Sequence, residues 1–139
     1  MWQGDYHTHS TLDDGKSTLE EMAAAAHALG LPRLGFSGHS WCPWEADYCI
    51  PKDRIEEYLS TARALRDRYA GKMEIFLGLE LDFYGERPQG LDYVIGSVHG
   101  LMQEGRFYAV DESPEVTRRA VEEGFGGDWY RYTDAYFDL

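Results

Sequence analysis

Four apolar, β-like runs in this 139-residue chain each close on an imidazole or a carboxylate. Residues 3–9 end in His7 and His9, Leu34–Ser37 leads into Gly38-His39, residues 73–79 lead into Glu80, and residues 92–98 lead into His99. This placement constrains the fold more than any other feature. Side chains two apart in a strand share a face, so His7 and His9 point the same way. The turn Asp13-Asp14-Gly15 follows, and Asp14 can fold back over both rings. Imidazole and carboxylate together suit zinc, manganese or iron, and the donors outnumber what one ion needs, which suggests two or three ions.

The segments between the runs predict how the strands meet. Ser17 with Glu20 three residues later reads as a capping box, followed by a helix rich in alanine that Gly30 ends. Strand, helix and strand at this spacing form a βαβ unit with parallel strands. Parallel strands put their C-terminal ends on one edge, where the sites of such folds collect. The donor-bearing ends are thereby expected to share one site. His27 lies inside the first helix, away from any strand end, and reads as a partly exposed residue with no chemistry.

Residues 40–51 form a loop rich in aromatics, including Trp41, Trp44 and Tyr48. It is either a lid or substrate wall, or a cover folded onto the helical shell. Residues 53–69 predict a helix whose Ile55, Leu59, Ala62 and Leu65 form a core stripe. Glu80 terminates an apolar run, and burying it demands a partner. Residues 100–105 read as a turn, and 107–110 as a short extra strand. Ser113-Pro114 opens a helix with a cap and an N1 proline, Gly126-Gly127 breaks it, and residues 128–139 predict another.

The length is one domain's worth, and 43% hydrophobic residues fit a folded protein. A net charge of −12 disfavours nucleic-acid binding, which needs clustered Lys and Arg. It is equally awkward for an anionic substrate, unless bound cations reverse the sign locally. No stretch is long and apolar enough to span a membrane, and no secretory signal is visible, so the expected location is cytoplasmic. Cys42 and Cys49 have neither redox-pair nor zinc-knuckle spacing and are expected to be reduced thiols.

Several ordered phrases resemble the polymerase-and-histidinol-phosphatase (PHP) superfamily. Residues 5–15, with His-Thr-His-Ser-Thr-Leu-Asp-Asp-Gly, resemble its first motif, and Gly35-Phe36-Ser37-Gly38-His39-Ser40 its second. Gly78-Leu79-Glu80 and Ile95-Gly96-Ser97-Val98-His99 resemble its third. Residues 91–99, Val110–Pro114 and Phe125–Asp128 are similar to the monofunctional histidinol-phosphatase branch. The resemblance implies an α/β fold, a distorted (β/α)7 TIM-like barrel. It implies two or three divalent ions, and hydrolysis of L-histidinol phosphate to L-histidinol and phosphate by a metal-bound hydroxide in histidine biosynthesis. Carried over by position, His7, His9, Asp14, His39, Glu80 and His99 match metal ligands. Glu80 would bridge, Glu80 and His99 would serve the chemistry, and Trp41 and Tyr48 would face the substrate's imidazole side.

The chain departs from the pattern twice. The family's second motif carries Asp before its histidine, whereas Gly38 stands there, so a carboxylate that orients an imidazole is expected to be missing. The family's later strands also supply a further His and a terminal Asp-x-His pair, whereas no histidine follows His99. The expectation is a single PHP-type domain over residues 1–139, the N-terminal portion of a longer one, with about four parallel strands and an incomplete ligand set. A second chain or a homodimer would close its open edge. The alternatives are a truncated noncatalytic metal-binding module and a PHP phosphoesterase with another substrate.

Overall fold

The computed structural model describes residues 3–110 and 112–139. Met1, Trp2 and Asp111, the last within the Val110–Pro114 phrase, lie outside the described residues. The chain divides into two compact units, Met1–Gly96 and Ser97–Leu139.

In the first unit, the strand expected over residues 3–9 is reduced to one parallel bridge, Asp5 to Leu34. The segment still runs beside its neighbour, but hydroxyls take over part of the bonding. Gly35 N–H donates to Asp5 O at 2.7 Å, Ser37 N–H to Thr8 O at 3.1 Å, and Thr8 N–H to Ser37 Oγ at 2.8 Å. Helix α1 (Leu19–Ala28) follows. Its cap sits one residue later than expected: Thr18, not Ser17, accepts from the Glu21 N–H, and the Glu21 carboxylate accepts from Thr18 N–H. Both pairs match the same spacing rule, and the helix register selects the second. Gly30 follows the helix at φ 72, a conformation glycine adopts without strain.

Strand β1 (Arg33–Phe36) pairs in parallel with β2 (Glu74–Leu77), from Arg33 opposite Glu74 to Phe36 opposite Leu77. A short 3-10 turn at Lys52–Arg54 and helix α2 (Ile55–Arg68) lie between them. The third apolar run does not continue as one strand into Glu80. It breaks at Gly78-Leu79, and Glu80 opens β3 (Glu80–Asp82), which shares a two-stranded sheet with β4 (Ile95–Ser97). The parallel alignment nevertheless persists across the break: Gly78 N–H donates to Phe36 O, Glu80 N–H to Gly38 O, and Ser40 N–H to Glu80 O.

One core joins both helices to the strands. Leu19, Ala23 and Ala26 of α1 and Tyr58, Leu59, Ala62 and Leu65 of α2 pack with Leu34, Phe36, Ile75, Leu77 and Leu79. Each fully buried Leu contributes on the order of 1.5–3 kcal/mol. On the other side of the sheet the Tyr93 ring lies against Gly35 and Gly78. A Cβ on Gly78 would fall 2.2 Å from that ring, so only glycine admits it. The Tyr93 hydroxyl lies 2.8 Å from Tyr6 O and 2.9 Å from Phe36 O.

The second unit has its own core of Leu101, Ala120, Val121, Phe125 and Tyr132. Residues 100–105 are not a simple turn. Strand β5 (Gly100–Gln103) pairs antiparallel with β6 (Arg106–Ala109) through a tight connection, with Glu104 at φ 51 and Gly105 at φ 78. Two successive positive φ values are what a two-residue hairpin of type I′ requires. Helix α3 (Pro114–Phe125) starts on the Ser113 cap and stops at Gly126, φ 66. Helix α4 (Trp129–Phe137) starts on Asp128, whose side chain accepts from the N–H groups of Tyr130 and Arg131. No helix among the described residues is long and apolar enough to cross a membrane.

Candidate metal centre

The site forms just beyond the C-terminal ends of β1 and β2. The shared face expected for His7 and His9 is present, with ring centroids 5.2 Å apart, and the His9 and His39 rings are 4.4 Å apart. Glu80 enters from the parallel neighbour through its bridge to His39. Its side chain is 8% exposed, and its Oε2 lies 2.8 Å from His7 Nε2, 3.3 Å from His9 Nε2 and 3.6 Å from His39 Nδ1. Three imidazoles thus converge on one oxygen of a buried carboxylate. Imidazole nitrogens and a carboxylate oxygen that face a common space are a donor set that a divalent cation takes.

Asp14 folds back over His9, one of the two rings expected, and over His39. Its Oδ1 is 3.3 Å from His9 Nδ1 and 3.7 Å from His39 Nε2. Ligand atoms of His9, Asp13, Asp14 and His39 all lie within 4.8 Å of one another, as do those of His7, His9 and Glu80. The donor set suits divalent metal, and Asp13, which the sequence reading left in the turn, lies beside it. The Asp13 side chain is 0% exposed, with Oδ2 2.8 Å from His9 Nδ1. Burial pushes the Asp13 carboxyl up, but the bonds with His9 and with the Ser10 and His39 amides outweigh it and leave it below its ordinary range. The same bond raises His9 above its ordinary value, against burial, and the charges of Asp13, Asp14 and Glu80 add to the rise.

Tyr58, which sequence reasoning also missed, braces the floor of the site. Its buried hydroxyl donates to Gly78 O at 2.8 Å and accepts from Gly38 N–H at 3.3 Å. It therefore ties together the glycines that precede His39 and Glu80. Nothing in the α2 sequence distinguishes Tyr58 from a helix residue packed for its ring alone.

The loop 40–51 is buried in part and exposed in part. Cys42, Cys49 and Ile50 are buried and cover core, whereas Trp44 and Tyr48 are 50% and 47% exposed. Both cysteines are free thiols, and burial raises both, Cys49 to about 12. Trp41 is half-buried, with Lys52 Nζ 5.7 Å from its ring centroid. His99 belongs to the second unit, immediately before β5, with its Nδ1 3.4 Å from Ser97 Oγ. His27 is exposed on α1, with its ring 5.4 Å from that of Tyr69.

A mixed α/β fold with imidazoles and carboxylates gathered at parallel strand ends defines a metal-site protein. The PHP domain matches residues 5–136, and the chain belongs to that family. A Deinococcus radiodurans protein named as a probable histidinol-phosphatase is 32% identical over 140 residues, covering 92% of this chain and 52% of the relative. This chain therefore spans about half the length of that relative. Among solved structures, a Listeria monocytogenes protein assigned as a histidinol phosphatase superposes with a TM-score of 0.75 at 20% identity, over 97% of this chain and 58% of that one. The histidinol phosphate phosphatase of Lactococcus lactis, complexed with zinc, L-histidinol and phosphate, superposes with a TM-score of 0.58 at 23% identity, over 88% and 51%.

Proposed function

We propose that this chain carries the metal-holding part of a phosphomonoester hydrolase that converts L-histidinol phosphate to L-histidinol and phosphate. The observation that carries this reading is the convergence of His7, His9 and His39 on Glu80 Oε2, at 2.8, 3.3 and 3.6 Å. The mixed α/β fold is, in this reading, part of a distorted (β/α)7 barrel. The substrate class is supported by the relatives, one of them solved with zinc, L-histidinol and phosphate.

His7, His9, Asp14, His39 and Glu80 would hold two or three divalent ions of the zinc, manganese or iron class. Bound there, such ions lend positive charge to phosphoryl oxygens and acidify water. The chain's own groups do the rest. Glu80, almost excluded from solvent, offers its carboxylate oxygen between imidazoles, a set that favours cations over a bare phosphate ester. The net charge of −12 repels an anionic substrate, so substrate binding depends on the loaded site. Trp41 and Tyr48 offer aromatic faces to the imidazole end of the substrate. His99 enters this reading through the Ile95–His99 motif alone.

The test is phosphate release from L-histidinol phosphate by the zinc- or manganese-loaded chain, with p-nitrophenyl phosphate as comparison. Hydrolysis of the first well above the second is the expected result. Hydrolysis of p-nitrophenyl phosphate alone points to another phosphomonoester. Metal binding with neither activity reduces the chain to a metal-binding module.

A further inference from the structure

We infer that Asp13 is the positioning residue of this centre: its carboxylate fills the space beside Gly38 and fixes the His9 ring and the His39 backbone. The inference rests on the metal reading above.

Two adjacent acids in one turn have different surroundings. The Asp14 side chain is 43% exposed and leans over the imidazoles, whereas that of Asp13 is 0% exposed. Both Asp13 oxygens are fully engaged. Oδ1 accepts from Ser10 N–H at 2.8 Å and Ser10 Oγ–H at 3.1 Å. Oδ2 lies 2.8 Å from His9 Nδ1 and accepts from His39 N–H at 3.2 Å. A carboxylate on Nδ1 holds the ring proton there and leaves Nε2 as the donor atom. His9 Nε2 is the atom that faces Glu80, at 3.3 Å. With its oxygens spent on these bonds, Asp13 orients ligands and leaves coordination to Asp14.

The second observation is at Gly38. A Cβ built there would lie 3.2 Å from Asp13 Oδ1, 3.3 Å from Asp13 Cγ and 2.8 Å from Ile50 Cδ1. The absent side chain at position 38 and the buried carboxylate of position 13 thus occupy one space. The orienting carboxylate whose loss Gly38 suggested arrives from the neighbouring turn. Positions 13 and 38 form a matched pair in which one of the two carries the acid. Ile50 Cδ1 is the end of a flexible side chain and can yield to a carboxylate at 38 once position 13 is small.

The experiment titrates Zn²⁺ against a chromophoric chelator in the full chain and in Asp13→Ser, Gly38→Asp and the double variant, with the number of ions bound measured alongside. Asp13→Ser is expected to weaken Zn²⁺ affinity about 10- to 100-fold, the usual cost of losing an orienting partner, with the number of ions unchanged. The double variant is expected to recover most of that loss. Gly38→Asp alone is expected to melt earlier than wild type, because it confronts two carboxylates. Nitrogen NMR of the metal-free imidazoles gives an independent readout: His9 protonated at Nδ1 in wild type and in the double variant, with Nε2 protonation appearing in Asp13→Ser. If Asp13→Ser does not fold, Asp13→Asn takes its place in the same titration. The inference is overturned by a single variant within twofold of wild type, by loss of a whole ion (which makes Asp13 a ligand), or by a double variant no better than the single one. Failure of wild type to bind Zn²⁺ strikes the metal reading itself. Failed rescue with intact wild-type binding strikes only the pairing of 13 with 38.

Discussion

The two ends of the parallel pair β1–β2 treat charge in opposite ways. At the N-terminal end Arg33 and Glu74 face each other across the register and meet at 2.7 Å, with side chains 43% and 64% exposed. At the C-terminal end Asp13 and Glu80 are 0% and 8% exposed. An exposed pair is screened and contributes little, so its geometry can drift without consequence. A buried carboxylate must be partnered on both oxygens or it destabilises the fold. The arrangement at the C-terminal end is therefore held to a single geometry. One pair of strands thus carries an exposed, screened ion pair at one end and buried, partnered carboxylates at the other.

The largest effect should come from Glu80→Gln. Loss of the shared anion should lower Zn²⁺ affinity by more than about 100-fold, beyond the cost of an orienting partner. A titration within threefold of wild type would erase the distinction between the ends. Next comes Gly78→Ala, which drives a methyl into the Tyr93 ring beneath the site. Overpacking of this kind costs about 1–3 kcal/mol, measured as a loss in urea or thermal unfolding. A neutral outcome would show that the floor yields freely.

The pH dependence of the metal-free chain sharpens the comparison further. His9 is raised in the fold, so its contribution is complete below its unfolded value of 6.5 and is lost as pH rises through the higher folded value. Asp13 is lowered, so its contribution is present above its unfolded value of 3.8 and is lost as pH falls through the lower folded value. Stability of the metal-free chain should therefore fall as pH climbs above 6.5, and Asp13→Ser should flatten that fall. Equal slopes in the two proteins, followed by chemical denaturation across pH, would remove the pair from the account. The smallest effect belongs to Arg33→Gln, which should leave both the melting midpoint and Zn²⁺ affinity at wild-type values. A clear loss of either would mean the exposed end is not a passive one.

What the sequence made legible follows from periodicity. The two-residue spacing of His7 and His9, the Glu80 that closes an apolar run, and the α2 stripe of Leu59, Ala62 and Leu65 depend on backbone repeat alone. The shared face of the two histidines and the α2 stripe appear in the structure as expected, whereas the run before Glu80 breaks at Gly78-Leu79. What escaped depends on side-chain direction or on choices among near-equal signals. Asp13 and Asp14 are indistinguishable in the sequence, and only the turn's bonding to Ser10 decides which is buried. Ser17 and Thr18 each have a glutamate three residues on, and helix register chose between them. The short strand expected over 107–110 is present as β6, but its partner β5 escaped because Glu104, a residue without glycine's freedom, takes a positive φ before Gly105. Membership of the PHP family was legible from ordered motifs, and the match over residues 5–136 agrees.

The two buried cysteines give the loop 40–51 a clock. Burial pushes the Cys49 thiol up to about 12 in the closed loop, and alkylation needs the thiolate. Modification therefore waits until residues 40–51 lift from the core and the thiol returns to its ordinary acidity. Because Ile50 N–H is tied to His39 O and Ser40 N–H to Glu80 O, each lifting event also loosens the two residues at the heart of the cluster. The rate at which a reagent consumes Cys49 is therefore expected to report opening of residues 40–51, and to rise in any variant that weakens the Ile50–His39 or Ser40–Glu80 backbone bond.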